Sequence, residues 1–181
     1  RQAGINGPVL VLEGGYDEQE WLAAREHNIE MVVHHQSQLN ILISNPQFNT
    51  LKLWLKIDTG MNRLGFDASE CQQVFEQCQH TGLNITVLMS HFSCADDLGN
   101  EKTLKQKQTL EEIFNQQSAA WPNLALSNSN SAAIIGWPAI TDNISRPGIM
   151  LYGSSPLITA TEQCQALKPV MTLSSRIISS H

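Results

Sequence analysis

Apolar positions along this chain fall into short runs that alternate between two periods. Pro8-Val9-Leu10-Val11-Leu12 is an apolar stretch that stops at Gly14-Gly15, which reads as a buried strand. Asp17 then opens a helix, with Glu20 three residues on as its capping-box partner and Trp21, Leu22 and Arg25 following. Met31-Val32-Val33 is the next strand, and Gln38–Ile43 reads as a short helix broken at Pro46. Leu51–Ile57 is again a strand, with Leu51, Leu53, Leu55 and Ile57 on one face and Trp54 on the other, so cover is expected on both faces.

The second half continues in kind. Asp67 or Ser69 caps a helix whose Cys71, Val74, Phe75 and Cys78 fall at i, i+3, i+4, i+7, and Gly82 ends it. Ile85–Met89 is a strand, and Asn100–Gln117 is a polar helix with Leu110, Ile113 and Phe114 as its inner stripe. Leu124–Leu126 is a strand, Ser131–Ile135 begins another helix, and Ile149–Tyr152 is apolar again. Roughly six strands separated by helices predict an α/β fold with a parallel sheet, open or closed. The polar residues suited to chemistry sit just after successive strands: Lys56-Ile57-Asp58, Ser90-His91, Ser127-Asn128 and Ser145-Arg146. A closed barrel would point all of these ends into one mouth, whereas an open sheet would gather only those beside its switch point, so the barrel is favoured. Past Thr161 the pattern changes, and Val170–Ile178 after Pro169 reads as an antiparallel strand. The expected organisation is a partial barrel over residues 1–165 and the beginning of a C-terminal β-strand domain over 166–181.

Composition narrows the function. The chain has 181 residues, 41% of them hydrophobic, enough for one ordinary core. Its net charge of −6 is thinly spread, and Lys102, Lys105 and Lys107 are its nearest approach to a basic block. Nucleic acid and anionic membrane surfaces, which need clustered cations, are therefore not expected partners. Cys71, Cys78, Cys94 and Cys164 form no C-x-x-C pair and no zinc spacing, and read as free thiols in a reducing, cytoplasmic setting. No apolar run approaches the roughly 20 residues of a membrane span. No initiator Met or signal peptide is visible at Arg1, and Met171–His181 stops inside an apolar alternation, so the chain is expected to be a piece of a longer protein.

Several segments carry candidate chemistry, each with a plain structural alternative. Lys56 and Arg63 flank a Gly-containing turn; if both enter one pocket they repel unless an anion lies between them, or unless a modification makes Lys56 anionic. His91 at a strand end suits either a structural or a catalytic role. Ser127–Ser131 leads into a helix as small polar residues, which serve either as caps or as a phosphate seat. Arg146 precedes Pro147-Gly148 either as a solvated turn residue or as a ligand donor, with the Gly148 and Ile149 amides near a phosphate. His34-His35 lacks neighbours at metal spacing and reads as structural, and no metal is expected.

Four runs together resemble the alanine racemase family of barrel-type pyridoxal-phosphate enzymes. They are K-x-D-T-G-M-x-R-L-G (Lys56–Gly65), S-H-F (Ser90–Phe92), N-S-A (Asn130–Ala132) and R-P-G-I-x-L-Y-G (Arg146–Gly153). The resemblance implies a (β/α)8 TIM-type barrel, incomplete at its N-terminus, joined to a C-terminal β domain. It implies a cytoplasmic homodimer with shared active sites, interconverting L- and D-alanine for peptidoglycan through a Schiff base on pyridoxal 5′-phosphate and two-base proton transfer. Arg146 would donate to the pyridine nitrogen, with His91 buttressing it. Ser131, with the Gly148 and Ile149 amides, would hold the phosphate, and Asn130 of the same N-S-A run would be a further cofactor-binding residue. Arg63 would reach the cofactor's phenolic oxygen and the substrate carboxylate, and a carbamylated Lys56 would orient it. The family's two bases, a Lys in a K-x-x-x-Y context and a Tyr from the partner subunit's C-terminal domain, have no counterpart here. Lys52, Lys102, Lys105, Lys107 and Lys168 lack that context, as do Tyr16 and Tyr152. No catalytic base is therefore expected within the chain, and alone it should be inactive. A broader amino-acid racemase and a non-catalytic pyridoxal-phosphate carrier are the alternatives.

Overall fold

The computed structural model of the protein describes residues 4–140 and 142–179. The strands are β1 (Leu10–Val11), β2 (Glu30–Val33), β3 (Leu53–Asp58), β4 (Phe66–Asp67), β5 (Ile85–Met89) and β6 (Ala125–Ser127). Between and after them lie α1 (Glu18–Glu26), α2 (Gln36–Ile43), α3 (Cys71–Thr81), α4 (Lys102–Gln117), α5 (Ser131–Gly136) and α6 (Glu162–Gln165). Every strand pairing is parallel, and the main sheet runs β1-β2-β3-β5-β6 with β4 paired to the end of β3. Sheet order thus follows chain order. Each crossover advances in one direction, and there is no point at which the order reverses.

That winding puts the helices on one side. Met31, Val33, Leu53, Leu55, Ile57, Ile85, Leu88 and Leu126 pack against Trp21, Leu39, Leu42, Phe75, Cys78, Leu110 and Ile113 from the helices. The opposite face holds a smaller cluster of Val32, Trp54, Val87 and Met89, with Leu10, Ala125 and Ile144 against it and no helix residue. A sheet with helices on one face and side chains filling the other is a barrel wall rather than a doubly wound layer.

Local signals set the element ends where they are strong. Asp17 accepts from the Glu20 amide at 3.0 Å, while the Glu20 carboxylate takes the Tyr16 amide. Asp67 and Glu70 form a complete capping box ahead of α3, and Gly82 closes that helix with a positive φ of 69°. The expected thiols are indeed unbridged, and burial pushes both Cys71 and Cys78 up to about 12, leaving them unreactive core groups.

Three expectations need correction. Leu51 is buried but precedes β3 rather than opening it. Ile149–Tyr152 is a 3-10 turn with Ile149, Leu151 and Tyr152 exposed, not a sixth strand. The segment beside β6 comes earlier: Asn143 and Ile144 donate to the Leu126 carbonyl and Arg146 to that of Ser129, after which Pro147 has no N–H to continue a ladder. Residues 169–179 carry no regular element, and Leu173, Ile177 and Ile178 are exposed. A strand needs a neighbour for its N–H and C=O groups, and among the described residues no ladder includes this segment. No described helix is long and apolar enough to cross a membrane.

Candidate active site

The register of the sheet sets the site. Lys56 pairs with Met89, and Met89 with Ser127, so the three strands end level and their polar successors emerge together. Lys56 is itself buried on the inner side, the next side chain after Trp54 on that face.

The Lys56–Gly65 run is a loop wound about one carboxylate. Asp58 Oδ1 accepts from the amides of Gly60, Met61 and Asn62 at 2.8, 2.9 and 3.1 Å, and Oδ2 from Arg63 at 3.2 Å. Burial acts to raise the Asp58 carboxyl, but these N–H bonds outweigh it and hold it below its ordinary value. Asn62 turns the chain with φ 58°, and the loop presents Arg63 exposed at the mouth.

Arg146 enters from the far side. Its Nη1 donates to Ser127 Oγ and its Nη2 to the Ser90 carbonyl at 2.5 Å. Asp142 accepts the Asn128 and Ser129 amides nearby. Burial draws the Arg146 guanidinium down to about 10, opposed by Asp142, so it stays charged at neutral pH. Below it, Ser131 Oγ accepts from the Gly148 amide at 2.8 Å and the Met150 amide at 3.4 Å, while Asn130 caps α5 through the Ala133 amide at 3.0 Å.

All eight sequence-predicted residues line one of two adjoining cavities. Lys56, Arg63, His91, Arg146 and Gly148 border one of about 560 Å³. His91, Asn130, Ser131, Arg146, Gly148 and Ile149 border the other, of about 430 Å³. The hydrogen bonds of Arg146 go to Ser90 and Ser127, not to His91, which stands beside it in the same cavities. His34 and His35 have structural partners: His34 Nε2 meets the Glu13 carbonyl at 3.0 Å, and His35 caps α2.

Charge at the mouth is lopsided. The ion pairs among the described residues are Lys52–Glu30, Lys105–Glu101 and Lys107–Glu111, so Lys56, Arg63 and Arg146 have no carboxylate at pairing distance. Desolvation, then Arg146 and Arg63, lower Lys56 to about 8, with Asp58 opposing. Desolvation, then Arg146, Lys56 and Arg63, lower His91 to about 4, so its imidazole is neutral at pH 7.

The His91 shift has a measurable consequence. Between its ordinary 6.5 and about 4 the unfolded chain binds a proton that the folded chain refuses, so stability falls as pH drops through that window. Allowing for partial exposure, the expected loss is about 2 kcal/mol. Denaturant unfolding of the cofactor-free protein at a series of pH values checks it: His91→Asn should flatten this limb, and an unchanged limb contradicts the assignment.

Sequence reasoning missed several groups that shape the site. Asp58, Ser90 and Ser127 were strand-end polar residues without a task, and a carboxylate two residues before a glycine was the available sign for Asp58. Gln106, buried in α4, binds Thr59 Oγ1, the His91 carbonyl, and the Ser93 amide and hydroxyl. Asp142 is likewise engaged only through the fold.

Known proteins are similar to this chain in sequence and in fold. The family described as alanine racemase, N-terminal domain, matches residues 1–156. An alanine racemase of Pseudomonas entomophila (strain L48) is 41% identical over 180 residues, 99% of this chain and 49% of the relative. The structure of alanine racemase from Acinetobacter baumannii matches with a TM-score of 0.81 at 38% identity, over 93% of this chain and 47% of that one. An alanine racemase structure from Bartonella henselae with covalently bound pyridoxal phosphate matches in fold, with a TM-score of 0.71 at 23% identity, over 84% of this chain and 44% of that one. The chain spans about half the length of the curated relatives it matches.

Proposed function

The chain belongs to the alanine racemase family, and from that premise we propose that the protein containing it interconverts L- and D-alanine with pyridoxal 5′-phosphate, supplying D-alanine for peptidoglycan. The observation that carries the reading is the mouth where Lys56, Arg63 and Arg146 gather with Glu13 as the acidic residue lining the same cavity, none of the three cations in an ion pair among the described residues, opening onto the seat formed by Ser131 and Gly148. Such a mouth suits an anionic ligand.

The donor set fits the cofactor. A Cβ at Gly148 would meet only Ser131 Oγ, at 4.0 Å, so room remains beside Gly148, whose amide here donates to Ser131 Oγ at 2.8 Å. Ser131 Oγ and the Gly148 and Ile149 amides would hold the phosphate. Bound there, pyridoxal phosphate supplies an electron sink for the pair left when an amino acid's α-proton departs. Arg146, charged at neutral pH, would donate to the ring nitrogen and keep its own proton, so that nitrogen stays unprotonated and the sink weak. A weak sink favours return of the proton to carbon, which suits racemisation over transamination. Neutral His91 adds no further charge beside the guanidinium. Lys56, lowered to about 8, holds an appreciable share of free amine near neutrality. That amine can add to carbon dioxide and lose a proton, and the resulting carbamate would face Arg63, which would take a substrate carboxylate.

The two proton-carrying bases are assigned to segments outside these residues, one of them on a partner subunit. Residues 166–181 are read as the lead into the domain that bears it, the whole protein is read as a homodimer, and the free thiols suit a cytoplasmic setting. The test is D-alanine formation from L-alanine by the full-length gene product with cofactor, beside this chain. The full-length protein should racemise and the chain should not. A full-length protein that binds the cofactor but leaves alanine untouched overturns the reading, in favour of a broader racemase if other amino acids turn over and of a carrier if none does.

A further inference from the structure

Gln106 is 1% exposed, although it lies on a long helix whose sequence is mostly polar. Its amide is fully committed. Nε2 donates to Thr59 Oγ1 at 3.3 Å and to the His91 carbonyl at 3.1 Å. Oε1 accepts from the Ser93 amide at 3.0 Å and the Ser93 hydroxyl at 3.1 Å. Both protons and both lone pairs are used, so the side chain has one orientation.

Thr59 Oγ1 accepts from Gln106 and shares a further hydrogen bond with Ser90 Oγ, 2.8 Å away, in which either hydroxyl can donate. Gln106 therefore grips the turn after β5 at residues 91 and 93 directly, and at residue 90 through Thr59. The Ser90 carbonyl is one of the two anchors of the Arg146 guanidinium. The geometry assigns Gln106 as a positioning residue: through the Ser90–Ser93 turn it fixes the Ser90 carbonyl, and so the aim of Arg146, without lining either cavity itself. The catalytic consequence rests on the functional reading above, while the effect on Arg146 does not.

Gln38 supplies an internal control. It is equally buried and ties together the loops after β1 and β2, donating to the Glu13 carbonyl at 2.9 Å and accepting from the His34 amide at 2.9 Å. It is the same kind of clamp, but it touches nothing that holds Arg146.

The experiment uses the full-length protein stripped of cofactor, in wild-type, Gln106→Leu, Gln106→Glu and Gln38→Leu forms. Arginines are labelled with phenylglyoxal, and the rate at each site is read by peptide mass spectrometry. Gln106→Glu keeps shape and acceptors but, ionised, cannot donate to Thr59 or His91. Arg146 labelling should rise about tenfold in both Gln106 variants, as the anchoring turn opens locally, with Arg25 unchanged and Gln38→Leu at the wild-type rate. In the cofactor-loaded protein, kcat should fall about 10- to 100-fold with little change in the KM for alanine, and the cofactor's absorption band should shift. Arg146 labelling unchanged in Gln106→Glu overturns the assignment, as does an equal rise in Gln38→Leu. If Gln106→Leu fails to fold, Gln106→Glu decides on the same readouts. A wild-type protein that does not racemise counts against the functional reading alone, and the labelling comparison still decides the role of Gln106.

Discussion

Gly65→Ala is expected to cost the protein about 3–5 kcal/mol and leave little folded material, because it combines backbone strain with a backbone clash. Gly65 has φ 133°, and a Cβ there would stand 2.5 Å from the Asp58 nitrogen and 2.7 Å from the Ile57 carbonyl carbon. Both atoms belong to the end of β3, which is hydrogen-bonded to neighbours on each side and has little freedom to yield. The next two residues form β4, with Phe66 opposite Ile57 and Asp67 opposite Asp58, so relief would require lifting β4 off β3. That movement would also unwind the loop around Asp58 that presents Arg63. Gly60→Ala is the matched comparison. It shares a positive φ of 125° but meets nothing closer than Lys102 Cε at 3.7 Å, so only the left-handed backbone term applies, about 1–2 kcal/mol. Denaturant midpoints for the two variants separate the effects, and equal losses would refute the steric account.

Much of this fold is legible in the chain because its elements carry local signals. In α3 the cap, the buried stripe Cys71, Val74, Phe75 and Cys78, and the closing Gly82 are all written between Asp67 and Gly82. The paired faces of β3 follow from alternation alone. β4, in contrast, is two residues long and has no period to display. Ile149–Tyr152 is apolar without being a strand, because the fold places it past Pro147, at the surface. Apolar runs show what a segment can bury, not whether a neighbour arrives to cover it.

The site divides in the same way. Residues at strand ends were found because a parallel wall brings successive ends to one level, and Lys56, Met89 and Ser127 show that row directly. The residues that aim those groups were not found. Gln106 lies 47 positions from Thr59 and 15 from His91, and Asp142 lies 14 from Asn128. Hydrogen bonds across such separations leave no spacing in the sequence. They depend on which helix packs over which strand end.

On the proposed function, Arg146→Met should lower racemisation by the full-length protein about 10²- to 10³-fold, the usual penalty for removing one preorganised donor, while raising the His91 and Lys56 pKa values together. For both groups desolvation is the largest depressing cause and Arg146 the largest charge. Methionine removes the charge and keeps most of the volume, so burial persists. His91 should therefore move up from about 4 without regaining 6.5, and Lys56 up from about 8 without regaining 10.5. Stability should respond less than activity. The Ser90 carbonyl and Ser127 hydroxyl lose a donor, at about 1–3 kcal/mol, but relief of repulsion among Lys56, Arg63 and Arg146 acts against that loss. On the proposed function the guanidinium is held in place for the ligand rather than for the fold. NMR titration of His91 alongside the racemisation rate tests both halves. An unmoved His91 would refute the charge coupling, and a rate within a few-fold of wild type would remove Arg146 from the donor set.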